Sequence, residues 1–393
     1  MGTTAFLARE PILDHRQELA GYDLRWAGLD SPANGTDLLE LLTGPGGKNW
    51  RLGPRIVVSD QLPAPLASPS PIPKAAYVVE FCGETATPAS VQAARAAGFA
   101  CCIRAPSALP VPHEIYPSLG YLSLDVNQLG PTLKKVSESL RKLPAQQIGR
   151  QIATEESFSA ARDARLDLFQ GYWFLNPSTQ AGAIIGPAYG NLVALMRLAR
   201  ENAPVGKLED ILKRDAALSF KLLRYINSAG FGLSCEIQSL RHAVTVLGYQ
   251  NLYRWLGFLM VNAARKNSTD ALVTTAITRG RLMELLGQDL LDAAERDNLF
   301  IVGIFSLLGA ILRVPMEEIT SQIPLTEAIG DALTARQGPY GPFLQLVEAC
   351  EQLGAPRNRE QAELLAMSLD LRPSDVNRAQ IDAIVWAHAL SAG

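Results

Sequence analysis

The chain has 393 residues, a formal net charge of −3, and a composition that is 48% hydrophobic and 19% charged. This length is enough for two or three domains, and the composition is that of a globular protein rather than a disordered one. The small acidic excess argues against a nonspecific nucleic-acid binder, because such proteins usually carry a basic excess.

The beginning of the chain and its cysteines bear on location. Met1–Glu10 lacks the basic start and apolar core of a signal peptide. The most apolar run, Leu299–Leu312, is shorter than the roughly 20 residues that span a bilayer, so we expect a buried helix and no membrane insertion. The five cysteines show no CxxC spacing, which indicates reduced thiols and predicts a cytoplasmic protein.

Residues 1–180 alternate short β-branched runs with helical stretches. The predicted strands are Phe6–Ile12, Ala20–Arg25, Ile56–Val58, Tyr77–Phe81, Ala100–Ile103, Tyr121–Val126, Gln147–Ile152 and Leu168–Phe174. The predicted helices are Thr36–Leu42, Pro88–Ala97, Thr132–Leu143 and Glu155–Ala164. This alternation predicts βαβ units and a parallel sheet. Eight strands in so short a stretch indicate a reduced TIM-like (β/α) barrel, in which helices are shortened or lost.

Two stretches interrupt this pattern. Gln61–Pro73 contains five prolines and is predicted to be a surface loop that replaces a barrel helix. Asn176–Gly190 is rich in small residues and prolines and indicates a domain boundary.

After that boundary the apolar spacing is helical, as at Leu218, Leu222 and Ile226. Further helices are predicted at Asn251–Ala264, Ala271–Leu286, Leu299–Leu312, Leu325–Thr334, Gly341–Gln352, Gln361–Leu369 and Ser374–Ala389. The predicted fold class is therefore α/β plus all-α, with domains at 1–180 and 190–393.

Three segments of the first domain carry a family resemblance. They are Phe6–Asp14 with Gly21–Leu24, Tyr77–Glu80, and Gln170–Pro177. Together they resemble a short, diverged branch of the EAL cyclic di-GMP phosphodiesterases. Active members hydrolyse cyclic di-GMP with two divalent cations, which require clustered carboxylate ligands.

The resemblance assigns positions to a vestigial pocket. The first metal-binding glutamate falls on Asp23, and a later glutamate is kept as Glu80. The phosphate-contacting arginine falls near Ala27, and Arg25 lies two residues away. Arg104-Ala105 stands where the family has paired aspartates, while Asp125 matches the downstream acid. Gln170 belongs to the closing-strand motif and completes the set.

Because most of the acids are missing, we expect no catalytic residue, no metal ligand and no cofactor in this pocket. Two interpretations remain open. Either Arg25, Arg104 and Gln170 contact the phosphates or bases of cyclic di-GMP, or the surviving carboxylates make internal hydrogen bonds at strand ends.

The second domain resembles the HDOD domain, through Lys213–Ala229 and Ser239–Gly248. That family shares an HD-superfamily helical bundle with metal phosphohydrolases. Ser306-Leu307 stands in place of the His-Asp pair, and this half has only His242 and His388, so HD-type hydrolysis is not expected.

Three residues of the HDOD signature allow two roles. Asp215, Asn227 and Ser228 either cap and fix helix ends or form a partner-binding surface.

The whole sequence therefore resembles an EAL–HDOD signalling protein. The resemblance implies a noncatalytic bacterial regulator that acts through protein–protein contacts and is linked to cyclic di-GMP.

Two alternatives remain. One is an EAL phosphodiesterase that is active, or that binds its ligand, around Asp23, Glu80 and Asp125. The other is a nucleic-acid-linked regulator, which the overall charge disfavours. It would use the basic residues of the helical domain: Lys213, Arg214, Lys221, Arg224 and Arg241.

Overall fold

A computed structural model describes residues 5–27, 38, 41–42, 56–59, 77–82, 86–105, 113–175, 189–227, 236–266 and 268–391. The chain divides into two compact units. The first contains Met1–Asn176, Ala349–Leu364 and Arg372–Ile381, and the second contains Pro177–Glu348, Leu365–Leu371 and Asp382–Gly393. The sequence suggested a single division between residues 180 and 190, whereas this grouping adds two C-terminal stretches to the first unit.

The first unit is built on a closed barrel of eight strands. These are β1 (Phe6–Leu13), β2 (Leu19–Ala27), β3 (Ile56–Ser59), β4 (Tyr77–Cys82), β5 (Ala100–Ala105), β6 (Tyr121–Asp125), β7 (Gln146–Arg150) and β8 (Leu168–Gln170). Each of the eight predicted strands is present, which confirms the barrel. Its interior is packed around a buried cluster: Ile12, Val78, Cys102, Ile148 and Leu168.

The prediction of an all-parallel sheet is wrong at β1. This strand runs antiparallel to both β2 and β8, while β2 to β8 follow one another in parallel. The reason is the short turn between β1 and β2, where the Asp14 N–H donates to the Glu18 carbonyl at 3.0 Å. A tight turn joins antiparallel strands, because parallel strands need a long crossover.

The predicted last strand, Leu168–Phe174, is too long. β8 ends at Gln170 because Gly171 adopts φ +139°, and a Cβ there would lie 2.1 Å from the Ile152 carbonyl oxygen. Only glycine fits this conformation and this approach. The chain then forms a 3₁₀ turn at Trp173–Leu175.

The helices around the barrel are short. They are α1 (Pro88–Ala96), α2 (Val126–Leu129), α3 (Leu133–Leu140) and α4 (Glu155–Asp163), with 3₁₀ turns at His113–Ser118 and Gly130–Thr132. Capping boxes at Thr87 and Thr154 begin α1 and α4. Of the predicted helix Thr36–Leu42, only residues 38, 41 and 42 are described, all helical. The proline-rich segment Gln61–Pro73 lies outside the described residues.

From residue 190 onward the described residues are mainly helical. The helices are α5 (Gly190–Arg200), α6 (Val205–Arg214), α7 (Ala216–Ile226), α8 (Leu240–Ala263), α9 (Asp270–Leu286), α10 (Ala293–Phe305), α11 (Leu308–Leu312), α12 (Met316–Gln322), α13 (Glu327–Ala335), α14 (Gly341–Glu351), α15 (Pro356–Ser368) and α16 (Pro373–Ser391), with a 3₁₀ turn at Ala264–Lys266. The predicted helix Leu299–Leu312 is in fact the end of α10 plus α11, which separate at Ser306 and Leu307.

The core of the second unit includes a close crossing of α9 and α10. A Cβ on Gly303 would lie 2.5 Å from the Gly280 Cα, so both positions require the absence of a side chain. Flanking residues such as Ile277 and Phe300 are buried, which makes this crossing part of the helical core.

A membrane-span criterion of length and apolarity finds no single helix that meets it among the described residues. One bent pair, 293–312 with 316–322, meets it jointly, with an angle of 116° between the parts.

The exposed edge of β1 is covered by the C-terminal part of the first unit. The Asn377 side chain accepts from the Leu7 N–H at 2.7 Å and donates to the Ala5 carbonyl at 2.8 Å. One turn further along α16, Gln380 donates to the Leu7 carbonyl at 3.0 Å. These two buried amides make the hydrogen bonds that a neighbouring strand would make.

Candidate functional site

The polar residues of the barrel interior gather where strands end. Arg150 and Gln170 are the last residues of β7 and β8, Arg104 is next to last in β5, and Glu80 lies in the second half of β4. Because the carboxyl ends of parallel barrel strands meet on one face, these side chains converge there. Asp23 and Arg25 join them from β2. We call this set, with Ser123 of β6, the arginine–carboxylate cluster.

Glu80 is the centre of the cluster. Its Oε2 atom accepts from Arg104 Nη2 at 2.6 Å and Arg25 Nη2 at 2.7 Å, and Arg150 Nη1 lies 3.4 Å away. Its other oxygen, Oε1, accepts from the Ser123 hydroxyl at 2.6 Å. One carboxylate oxygen is thus surrounded by three guanidinium groups, while the other is anchored to the barrel wall.

Asp23 forms the second centre. Arg25 donates to it through two nitrogens, Nε to Oδ1 and Nη2 to Oδ2, both at 2.7 Å. Gln170 Nε2 donates to Asp23 Oδ2 at 2.8 Å and to Glu10 Oε2 at 2.9 Å. The side-chain oxygen of Gln170, Oε1, in turn accepts from Arg150 Nε at 3.1 Å. The amide therefore links the carboxylates to the third arginine.

The side chains of the cluster differ in their exposure to solvent. The Glu80 side chain is 0% exposed and Asp23 is 2% exposed, whereas Arg25 is 20% and Arg104 is 34% exposed. The carboxylates are therefore buried, and the side chains of Arg25 and Arg104 are more exposed to solvent than either carboxylate.

The two carboxylates have opposite pKa shifts. Burial disfavours ionisation of Glu80, but the positive charges of Arg150, Arg25 and Arg104 outweigh it and lower its pKa to about 2. Burial raises the pKa of Asp23 to about 6, with Arg25 and Arg150 only partly compensating. The difference follows from the contacts, because three arginines and a hydroxyl face Glu80, whereas two arginines face Asp23.

The cluster does not fit a two-cation centre. Each of its two main carboxylates is already engaged by guanidinium groups at hydrogen-bonding distance. The end of β5 offers a cation, Arg104, and a methyl group, Ala105, which cannot bind a hard cation. Among the residues that the structure describes, no group of three His, Cys, Asp or Glu side chains is placed to hold a metal.

Five of the six predicted pocket residues meet in this cluster: Asp23, Arg25, Glu80, Arg104 and Gln170. Asp125 does something else, since it begins α2 and its Oδ1 accepts from the Gln128 N–H at 2.8 Å.

Arg150 and Ser123 were not among the residues predicted for the site. The signal for Arg150 was available, because a charged residue closing a largely buried barrel strand is typical of a site at that face.

In the helical unit, two of the three HDOD signature residues make side-chain hydrogen bonds at helix ends. The Asp215 side chain accepts from the Leu218 N–H at 2.9 Å, and this bond lowers the pKa of Asp215. Asn227 donates to and accepts from Ile237, at 2.8 and 2.7 Å, although its side chain is exposed rather than buried. Ser228 lies outside the described residues.

Ser306 also contacts an arginine. The buried Arg279 donates to its hydroxyl at 3.0 Å, and the hydroxyl donates to the Gly303 carbonyl at 2.7 Å. Arg279 lies 3.5 Å from Glu348 as well.

Comparison with known proteins assigns a family to part of the helical unit, and sequence similarity to a longer relative extends into the barrel. Residues 191–325 match the HDOD domain family. A cyclic di-GMP phosphodiesterase, CdgJ of Vibrio cholerae serotype O1, is 28% identical over 291 residues, or 72% of this chain, so the similarity continues beyond the HDOD match. An alignment over 72% of the chain is longer than the stretch from residue 191 to residue 393, so it includes part of the barrel unit. The chain is an EAL–HDOD protein.

Other relatives match shorter parts of this EAL–HDOD chain. The uncharacterized protein YuxH of Bacillus subtilis is 26% identical over 247 residues, or 62% of the chain. The matched regions span 65% of CdgJ and 59% of YuxH. A solved standalone EAL protein from Vibrio cholerae O395, bound to cyclic di-GMP, covers 43% of the chain at 15% identity with a TM-score of 0.35.

Proposed function

We propose that this EAL–HDOD protein is a noncatalytic regulator in cyclic di-GMP signalling, in which the barrel binds the nucleotide without hydrolysing it and the helical unit contacts a protein partner. The observation that supports this most directly is the engagement of Glu80 and Asp23 by Arg25, Arg104 and Arg150. Two-cation hydrolysis needs those carboxylates on metal ions, which clamp the attacking water and the leaving oxygen.

The link to cyclic di-GMP rests on similarity and on charge. The relative CdgJ is named a cyclic di-GMP phosphodiesterase. The partly exposed guanidinium groups of Arg25 and Arg104 suit phosphate oxygens, because arginine forms strong, directional bonds to phosphate.

The proposed protein contact is supported by an exposed side chain of the helical unit. Phe220 on α7 is 66% exposed, while Leu218 and Leu222 on the same helix are buried. Lys221 and Arg224 lie on the same outward side of α7, so the surface combines an aromatic ring with positive charge.

The basic residues of the helical unit give less support to nucleic-acid binding. Lys213 lies 3.5 Å from Asp210, and Arg241 lies 3.0 Å from Glu209, so two of the five basic residues named for that role have acidic neighbours.

The test is calorimetric titration of the full chain with cyclic di-GMP, with and without magnesium or manganese, followed by chromatography for the linear product. We expect binding without product, and no requirement for the metal. Metal-dependent product that disappears in Glu80→Gln would contradict the proposal and establish the hydrolytic alternative, which the name of CdgJ favours.

A second measurement addresses the helical unit. Phe220→Asp is compared with wild type and with Leu364→Asp, which changes another exposed apolar residue, here 62% exposed on α15. Cross-linking in cells should yield a defined adduct that only Phe220→Asp abolishes. Equal loss in both variants, or in neither, would argue against a specific contact at Phe220.

A further inference from the structure

The arrangement around Glu80 resembles an occupied anion site. Three guanidinium groups surround one carboxylate oxygen at 2.6, 2.7 and 3.4 Å. Phosphate presents the same kind of acceptor, an anionic oxygen, and guanidinium groups bind it with the same geometry as they bind carboxylate. The protein thus supplies its own anion where a ligand's oxyanion would bind.

We propose that Arg25, Arg104 and Arg150 form a metal-independent site for a phosphate or phosphodiester oxyanion, which Glu80 occupies as an internal competitor. The inference rests on the proposed function, since a cation-loaded barrel would need Glu80 on the metal. It adds a specific role for Glu80, which restrains ligand binding rather than promoting it.

Charge and burial support this role. The cluster sets three guanidinium groups against the carboxylates of Asp23 and Glu80, and its arginine side chains are more exposed to solvent than its carboxylates. An entering oxyanion therefore meets Arg104 and Arg25 first. It must then draw these groups away from Glu80 Oε2 in order to bind.

The two oxygens of Glu80 have separate tasks in this arrangement. Oε1 is held by the Ser123 hydroxyl at 2.6 Å, which fixes the carboxylate beneath the arginines. Oε2 accepts the guanidinium bonds that a ligand would have to replace. Removing the charge of Glu80 leaves the pocket shape nearly unchanged but removes the competitor.

The sign of the expected effect distinguishes this site from a metal centre. In a metal-dependent site, Glu80→Gln weakens ligand binding because a cation ligand is lost. In the arginine site, the same substitution strengthens oxyanion binding, because the guanidinium groups are no longer neutralised by Glu80.

The experiment measures binding of inorganic phosphate and of cyclic di-GMP, in separate titrations in EDTA, to wild type, Glu80→Gln and Asp125→Asn. Asp125→Asn is the matched control, because it removes a carboxylate from the end of β6 that caps α2. We expect Glu80→Gln to bind at least one ligand about tenfold more tightly, the size of one charge-assisted hydrogen bond. Asp125→Asn should bind like wild type.

A double variant tests the arginines themselves. Adding Arg104→Gln to Glu80→Gln should remove the gain, because Arg104 is the most exposed of the three guanidinium groups. Tighter binding of both ligands indicates a general phosphate site, and tighter binding of cyclic di-GMP alone indicates a phosphodiester site. Unchanged or weaker binding of both by Glu80→Gln overturns the inference, as does an equal gain in Asp125→Asn.

The design remains decisive if Glu80→Gln is poorly folded. Phosphate should then raise its unfolding temperature more than that of wild type, and Ser123→Ala, which keeps the charge but loosens Glu80, should show a smaller shift in the same direction. No phosphate-dependent difference in either variant overturns the inference. Product formation with magnesium in wild type, by contrast, contradicts the proposed function itself, so the two failures are separable.

Discussion

The side-chain amide of Asn377 pairs with the main chain around Leu7 as a β-strand would. It accepts from the Leu7 N–H at 2.7 Å and donates to the Ala5 carbonyl at 2.8 Å, over a sequence separation of 370 residues. The barrel strand β1 pairs with β8 only through Ile12 and Leu13, so its first half presents an open edge on that side. Residues near the end of the chain therefore complete a barrel that begins at its start.

This pairing predicts that Asn377→Leu destabilises the barrel. The substitution keeps the size of the side chain but leaves a buried N–H and a buried carbonyl without their partner. We expect the free energy of unfolding to fall by about 2 to 4 kcal/mol. Urea denaturation, followed by tryptophan fluorescence, measures this change.

Asp375→Asn is the control on the same helix. Asp375 is exposed and bonds to Arg372, so its substitution should cost less than about 1 kcal/mol. Equal losses in the two variants would show that Asn377 contributes through the helix rather than through β1.

The crossing of α9 and α10 predicts that Gly303→Ala is destabilising. The new methyl group would lie 2.5 Å from the Gly280 Cα, and because this contact is with the backbone of α9 the helices must separate. We expect a loss of about 1 to 3 kcal/mol, despite the higher helix propensity of alanine. Thermal unfolding by circular dichroism measures it.

Gly330→Ala in α13 is the control in the same unit, and we expect it to raise stability rather than lower it. A Cβ at Gly330 has no atom within 4 Å, so alanine should stabilise this helix by about 0.5 to 1 kcal/mol. If both substitutions were stabilising, the close approach of α9 and α10 would not constrain Gly303.

Local patterns in the sequence were sufficient to predict the barrel strands and most helices. The β-branched run Tyr77–Phe81 identifies a strand, and the helical spacing of Leu218, Leu222 and Ile226 identifies α7. The antiparallel β1 was missed because strand direction depends on the length of a turn, not on the strand's own residues. The pairing of Asn377 with Leu7 was out of reach, because no local pattern relates positions so far apart.

The site was partly predictable for a similar reason. Motif positions indicated Asp23, Glu80 and Arg104, since each closes or lies within a barrel strand. What the sequence did not reveal is that the arginines bond to the carboxylates rather than to solvent. That requires three-dimensional convergence, and Arg150 was overlooked because it lies outside the motifs that were compared.

The arginine–carboxylate cluster predicts that divalent cations do not stabilise the protein. Guanidinium groups already compensate Asp23 and Glu80, so magnesium or manganese has no uncompensated carboxylate pair to bind there. We expect the unfolding temperature to be the same in EDTA and in millimolar metal. Differential scanning fluorimetry measures it, and a metal-dependent rise that is lost in Asp23→Asn would contradict the prediction.

The pKa of Glu80 predicts how stability depends on acid. Its value in the folded protein is about 2, below the ordinary 4.5, so between these values the unfolded chain binds more protons than the folded one. The contribution of Glu80 is therefore fully present above about pH 4.5 and is lost as the pH falls towards 2, with a size of about 3 kcal/mol. Asp23 has the opposite effect on the pH dependence of stability. Its pKa is raised from 3.8 to about 6, so between these values the folded chain binds more protons than the unfolded one, and stability falls as the pH rises.

Comparing wild type with Glu80→Gln isolates the first effect. Urea denaturation at a series of pH values from about 3 to 7 should show the difference in unfolding free energy shrinking as the solution is acidified, because a protonated Glu80 resembles glutamine. Asp125→Asn provides the control, since its carboxylate caps α2. A difference between wild type and Glu80→Gln that is constant over the whole pH range would mean that the arginines do not hold Glu80 in its ionised form.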